Sequence, residues 1–148
     1  MANSSAFWES ELFRTFAFYV SVLLFKVLSN NFTTVYYRSI RKCYRVEEDS
    51  KLVKAKHQAV EHPDVTRVVR IHEHDLENII PFILIGSLFI LTGPSLTLAT
   101  WYFRIFTGAR LVHTISYLFA LQPARTIAHV VAVVILNLMV VSNIKYFM

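Results

Sequence analysis

Hydrophobic residues in this chain gather into long runs, not into the strict alternation of strands or a narrow amphipathic stripe. The first run fills most of residues 12–40, and Arg14, Lys26 and Arg38 are its only charges. Further runs occupy residues 65–92, 96–121 and 124–146, and residues 126–144 hold no Asp, Glu, Lys or Arg. A bilayer is crossed by about 20 apolar residues in a helix, so each run is long enough to span. Polar punctuation separates them. Pro63 prevents a helix from simply continuing and Asp64 is the expected N-cap of the next. Gly93, Pro94 and Ser95 mark a turn, as do Gln122 and Pro123. The pattern predicts an all-α integral membrane protein. It has one four-span domain over residues 1–148, a four-helix bundle with a first loop at about 41–64.

Composition agrees with that class: hydrophobic residues make up 55% of the 148 and charged residues 17%. Charge sharpens the topology. Nine of the fifteen Lys/Arg lie between Arg38 and Arg70, and all ten acids lie at or before Glu77. Basic residues flanking apolar spans mark a cytoplasmic loop. No nucleic-acid-binding motif accompanies them, so a nucleic-acid partner is excluded. The termini and the turn at Gly93 then face the lumen, and the turn carrying Pro123 returns to the cytoplasmic face. The single Cys43 excludes an intramolecular disulfide and a cysteine metal cluster. Without a basic leader and a small-residue cleavage site, the first span is expected to be retained. The sequons at Asn3 and Asn31 are weak signals, Asn31 falling inside the first helix. Arg14 can snorkel. Lys26 sits mid-span and is expected to face a partner helix or the lumen for packing.

The candidate chemistry begins at residues 67–82, RVVRIHEHDLENIIPF, at the mouth of the second helix. Ionisable groups there usually line a cavity. Arg70, His74, Glu77 and Pro81 share a face by their spacing, with Arg67 extending it backwards and His72 and Glu73 to its sides. Arginine grips a carboxylate bidentately while glutamate takes an ammonium, so this face suits a zwitterion. Pro81 removes a backbone donor from the carbonyl of Glu77. On the third helix Arg110, His113 and Tyr117 share a face that must point inward. Arg110 needs a counter-charge and takes a structural ion pair with Glu77 or Asp75. Arg125, Thr126 and His129 open the fourth helix, where an arginine and a helix N-terminus together favour an anion such as a thiolate.

YYRSIRK ending the first helix, RVVRIHEHDLENIIPF, the turn TGPS and FRIFTGARLVHTISYL on the third helix together resemble one family. It is the membrane-associated proteins in eicosanoid and glutathione metabolism, matched in order and spacing over almost the whole chain. The closest resemblance is to the type 1 microsomal glutathione transferase branch, with the prostaglandin E synthase branch a near relative. The resemblance implies a homotrimer in the endoplasmic reticulum membrane, or also the outer mitochondrial membrane. It implies glutathione at subunit interfaces near the cytoplasmic face. Carried over by position, Arg38, Arg70, His72, Glu77, His113 and Tyr117 would bind glutathione, with His74 beside them on its helical face. Arg125 would lie near the sulfur, followed by Thr126, and Asp49 aligns with an acid implicated in the synthase branch. These three are the expected catalytic residues. Departures stand at Glu73 and His74, where the synthase branch has Arg-Asn, and at Val69, where the transferase branch has arginine. His129 replaces a synthase tyrosine and Ser50 a reactive cysteine, with Cys43 out of register.

The implied activity is attack of glutathione thiolate on a hydrophobic electrophile or lipid hydroperoxide from the bilayer, with no metal. The second substrate is expected to enter between helices lined by Phe82, Phe89 and Phe106. Isomerisation of a prostaglandin endoperoxide to a prostaglandin E product uses the same thiolate and is the alternative within the family. From another class, His72, His74, His113 and His129 suggest haem ligation, and a non-enzymatic four-span scaffold is the remaining reading.

Overall fold

Ser10 begins the first long helix by accepting a hydrogen bond from the Phe13 amide at 3.2 Å, and Ser95 caps another through the Leu98 amide at 3.4 Å. The computed structural model describes residues 4–52 and 61–148. The sequon at Asn3 and residues 53–60 of the first loop lie outside them. The described residues form six helices: α1 (Ser4–Glu9), α2 (Glu11–Arg41), α3 (Glu47–Leu52), α4 (Pro63–Leu91), α5 (Leu96–Leu118) and α6 (Ala124–Phe147). Four are long, as the hydrophobic runs predict. The short α1 and α3 were not expected. Glu47, Glu48 and Asp49 fill the first turn of α3, where acids complement the helix dipole.

Two boundaries differ from the sequence reading, each for a local reason. α4 starts at Pro63, not after Asp64. His62 is the N-cap, its Nδ1 accepting from the Asp64 amide at 3.2 Å, and Pro63 suits the first helical position. α5 stops at Leu118 instead of 121. The Leu121 amide donates to Ser116 O (2.8 Å) and the Ala120 amide to Tyr117 O (3.2 Å), with Ala120 at φ 55°. That is the two-bond Schellman closure, here with alanine where glycine is usual. α2 ends similarly around Lys42 (φ 48°), with Cys43 N donating to Arg38 O at 3.1 Å.

α2, α4 and α6 are long and apolar enough to cross a membrane. α5 has 23 residues, a spanning length, but carries Arg104, Arg110 and His113. The outer surface is apolar. Phe18, Phe25 and Phe32 on α2, Leu84 on α4 and Val134 on α6 are exposed, as lipid-facing residues are. This is a membrane protein of several apolar helices.

Inside, Phe16 and Leu23 of α2 meet Ile79, Phe82 and Phe89 of α4, Phe103 and Phe106 of α5, and Met139 of α6. Phe82 stacks on Phe106 with ring centroids 4.2 Å apart, and Phe103 meets both Phe82 and Phe89 edge-on. Phe82, Phe89 and Phe106 are fully buried. They build the core and do not line the lateral entry path expected from the sequence.

At Gly86, α2 and α4 approach closely: a Cβ there would lie 2.6 Å from Phe16 Cε2, whereas one on Gly108 would meet nothing within 4 Å. Gly86→Ala is expected to destabilise the bundle by about 1–3 kcal/mol through overpacking. Gly108→Ala should stay within roughly 0.5 kcal/mol of the parent. Thermal unfolding of both variants in one detergent checks the contrast.

Candidate functional site

α4 presents a buried stripe of Ile71, Asp75, Asn78 and Phe82. It has the same four-three-four spacing as Arg70, His74, Glu77 and Pro81, shifted by one residue. The apolar members Ile71 and Phe82 decide which stripe turns inward, so Arg70 and Glu77 are exposed and Asp75 is buried. Its carboxylate is shared. Lys26 Nζ bonds Oδ2, Asn30 Nδ2 donates to Oδ2 at 2.7 Å, and Arg110 Nη2 donates to Oδ1 at 2.6 Å. Arg110 Nη2 also donates to His74 O at 2.9 Å. Thus the pairing left open between Glu77 and Asp75 goes to Asp75, and Lys26 joins it from α2.

Beside this cluster the polar ends of α4, α5 and α6 converge. Rings of His74 and His113 lie 5.8 Å apart, His113 and His129 6.0 Å, and Tyr117 lies 5.7 Å from both His74 and His113. The Arg125 guanidinium sits 4.6 Å above the Tyr117 ring, a cation–π contact joining the last turn of α5 to the first of α6. Two cavities meet at that pair. One, of about 200 Å³, is lined by His74, His113, Tyr117, Arg125, Thr126 and His129. The other, of about 430 Å³, is lined by Glu61, Pro63, Thr66, Arg67, Arg70, Tyr117 and Arg125. The smaller offers imidazoles, a hydroxyl and a guanidinium; the larger offers three arginines and one carboxylate.

Of the residues picked from sequence, His74, His113, Tyr117, Arg125 and Thr126 line the smaller cavity and Arg70 the larger. Arg38 lies behind the larger one, its Nη2 donating to Glu61 Oε1 at 2.5 Å. Glu77 lines neither cavity; it is exposed, its Oε2 3.2 Å from His74 Nδ1. His72 and Asp49 line neither cavity, and Asp49 is exposed on α3. His72 therefore stands apart from the other three histidines of the haem reading. Among the described residues, no group of three His, Cys, Asp or Glu could hold a metal ion. At α6 no side chain caps the N-terminus. Of the amides expected to be free there, that of Arg125 is taken by Leu121 O at 3.2 Å, and Thr126 Oγ1 lies 3.1 Å from Gln122 Oε1.

Sequence reasoning missed Asn30, Glu61 and Thr66 as members of this region. Lys26 and Asn30, four residues apart on an apolar helix, were a readable signal for a buried polar face. Glu61 carried none, since it lies outside the helices, two residues before α4, where no helical period assigns it a face.

The MAPEG family model matches residues 16–145. Microsomal glutathione S-transferase 1 of Bos taurus is 42% identical over 133 residues, and that of Homo sapiens 40%, each comparison covering 86% of both chains. Prostaglandin E synthase of Bos taurus is 39% identical over 71 residues, covering 47% of this chain and 46% of its own.

Asp75 is the only buried acid among the described residues. Asp75→Ala strands two buried cations and is expected to cost about 3–5 kcal/mol. Glu73→Ala, at an exposed position, should cost less than about 0.5 kcal/mol. Detergent melting curves of the two variants measure the difference.

Proposed function

This chain belongs to the MAPEG family, and from that premise we propose that it is a membrane-bound glutathione transferase. The observation that carries the reading is the pair of cavities meeting at Tyr117 and Arg125. Glutathione has two carboxylates, one ammonium and one thiol. The larger cavity supplies Arg67 and Arg70 for carboxylates and Glu61 for the ammonium, with charge-assisted hydrogen bonds as the source of affinity. Its volume falls within the range of roughly 300–1,000 Å³ usual for small-molecule sites. The thiol then reaches the smaller cavity, where Arg125 favours its ionised form and Thr126 can donate once released from Gln122.

The thiolate attacks an apolar electrophile delivered from the bilayer, or the terminal oxygen of a lipid hydroperoxide. With the hydroperoxide the O–O bond breaks to leave glutathione sulfenic acid and a lipid alkoxide that takes up a proton, and a second glutathione converts the sulfenic acid to the disulfide and water. In conjugation the sulfur forms a bond to the electrophilic atom and a leaving group departs with the displaced electron pair. The protein forms no covalent intermediate. It holds glutathione in place and stabilises the anion.

The finer reading is a four-span protomer, α5 included, with the polar cavities at the cytoplasmic face of the endoplasmic reticulum membrane. A homotrimer completes it. In support, Arg70, Glu73, Glu77, Ile80, Leu84 and Leu88 lie exposed at three- and four-residue steps along one side of α4. Copies packed along that seam would cover Arg70 and Glu77 and give the larger cavity its missing wall.

Side-by-side turnover with an aryl halide electrophile and with a prostaglandin endoperoxide tests the activity. Conjugation is expected, and turnover of the endoperoxide alone would overturn the reading. Arg70→Ala is expected to weaken glutathione binding roughly 10–100-fold, the loss of one charge-assisted hydrogen bond. Arg125→Ala should leave binding in place and raise the pKa of the bound thiol by about one unit or more. Calorimetric titration and the ultraviolet absorbance of the thiolate measure the two effects separately.

A further inference from the structure

Three charged side chains are buried among the described residues: Lys26, Asp75 and Arg110. Lys26 and Arg110 are cations and Asp75 is the only anion, so the cluster carries one positive charge in excess. The nearest acids on α4 do not offset it. Glu73 and Glu77 are exposed, and the side chain of Glu77 is 67% accessible. Arg110 is itself fully buried, and only its Nη2 is engaged. Its Nε and Nη1 are buried without partners, as are His113 Nδ1 one turn further along α5 and Thr107 Oγ1 one turn before it. A cation with unused donors in an apolar bundle projects its field onto whatever polar space lies closest.

That space is the smaller cavity. Arg110 Nη2 touches the carbonyl of His74, and His74 and His113 line the cavity wall. The titratable and charged groups lining the cavity are His74 of α4, His113 and Tyr117 of α5, and Arg125 and His129 of α6, and the exposed Glu77 carboxylate lies 3.2 Å from His74 Nδ1. Arg125 is half-buried and open to screening by the larger cavity, whereas the cluster behind the wall is shielded from water and ions.

We infer that the Lys26–Asp75–Arg110 cluster acts as a fixed positive field behind the cavity, and that Lys26 is a positioning residue that favours the thiolate of bound glutathione. Lys26 touches no substrate. Its ammonium supplies the second positive charge, so that Asp75 can hold Arg110 without neutralising it. The inference rests on the glutathione reading above.

Glutathione added to the full-length protein in detergent, followed by thiolate absorbance against pH, tests it. The parent should titrate below the ordinary thiol value of about 8.5. Lys26→Gln keeps a donor to Asp75 but removes the charge, and the bound thiol's pKa should rise by about one unit, roughly tenfold less thiolate on the acid side. Lys26→Arg restores the charge with a different shape and should titrate as the parent does. A purely structural lysine predicts altered melting and glutathione affinity in both variants with no change in thiol pKa. A folded Lys26→Gln that titrates like the parent overturns the inference, as does Lys26→Arg shifted by a full unit. If Lys26→Gln does not fold, Lys26→Met takes its place, of similar length and uncharged: a thiol pKa raised by about one unit supports the field and a parental titration refutes it. Absence of any thiolate signal in the parent overturns the glutathione reading itself, a result distinct from a parent signal that Lys26→Gln leaves in place.

Discussion

One carboxylate ties three helices together. Asp75 of α4 receives Lys26 and Asn30 from α2 and Arg110 from α5. In lipid such groups have no water to fall back on, and each is tolerable only because the others are present. The cluster sets the rotation of α4 about its axis. With Asp75 inward, His74 turns to the α5–α6 side and Arg70 and Glu77 turn out. The carbonyl of His74 receives both Arg110 and the Asn78 side chain, at 2.9 and 2.8 Å, which fixes the α4 turn that carries the His74 ring. The positions of the cavity groups thus follow from a contact none of them makes.

The second anchor is the Tyr117–Arg125 contact. Tyr117 lies in the final turn of α5 and Arg125 in the first turn of α6, with a closure between them that bends the chain through Ala120. Both cavities use both residues. The carboxylate-binding groups of the larger space and the imidazoles of the smaller therefore share a wall, and a ligand extending from one to the other must pass the guanidinium.

Much of this was readable from the hydrophobic runs, because a span must be apolar over most of its length and little else competes with that demand. The four long helices fall within about three residues of their expected ends. The errors have physical causes. Ala120 closes α5 by backbone hydrogen bonds without the glycine that usually signals such an end. His62 caps α4 through a ring nitrogen, a weaker sequence signal than Ser or Asp. On α4, two adjacent stripes share one spacing, so periodicity could not say whether Glu77 or Asp75 faced Arg110. Only packing, through Ile71 and Phe82, selects between them. Arg125, Thr126 and His129 were legible as a group because they fit in one turn. Glu61 was not, since it lies just before α4, outside any helical period.

The buried cluster also bears on how the chain is made. Its members are far apart in sequence: Lys26 and Asp75 are separated by 49 residues, and Asp75 and Arg110 by 35. At roughly 5–20 residues per second, α2 waits about 2–10 s before its counter-ion is synthesised. During that wait a lone charge at mid-membrane costs about 2.5–3.5 kcal/mol on insertion scales. Asp75 then arrives ahead of Arg110, so the nascent chain holds a matched pair before the last cation enters. The order of synthesis alternates cation, anion, cation, and biogenesis never has to carry two unmatched positive charges in the bilayer at once. A chain stalled before α4 would keep a mid-membrane lysine without its counter-charge, and so would carry that cost for as long as the stall lasts.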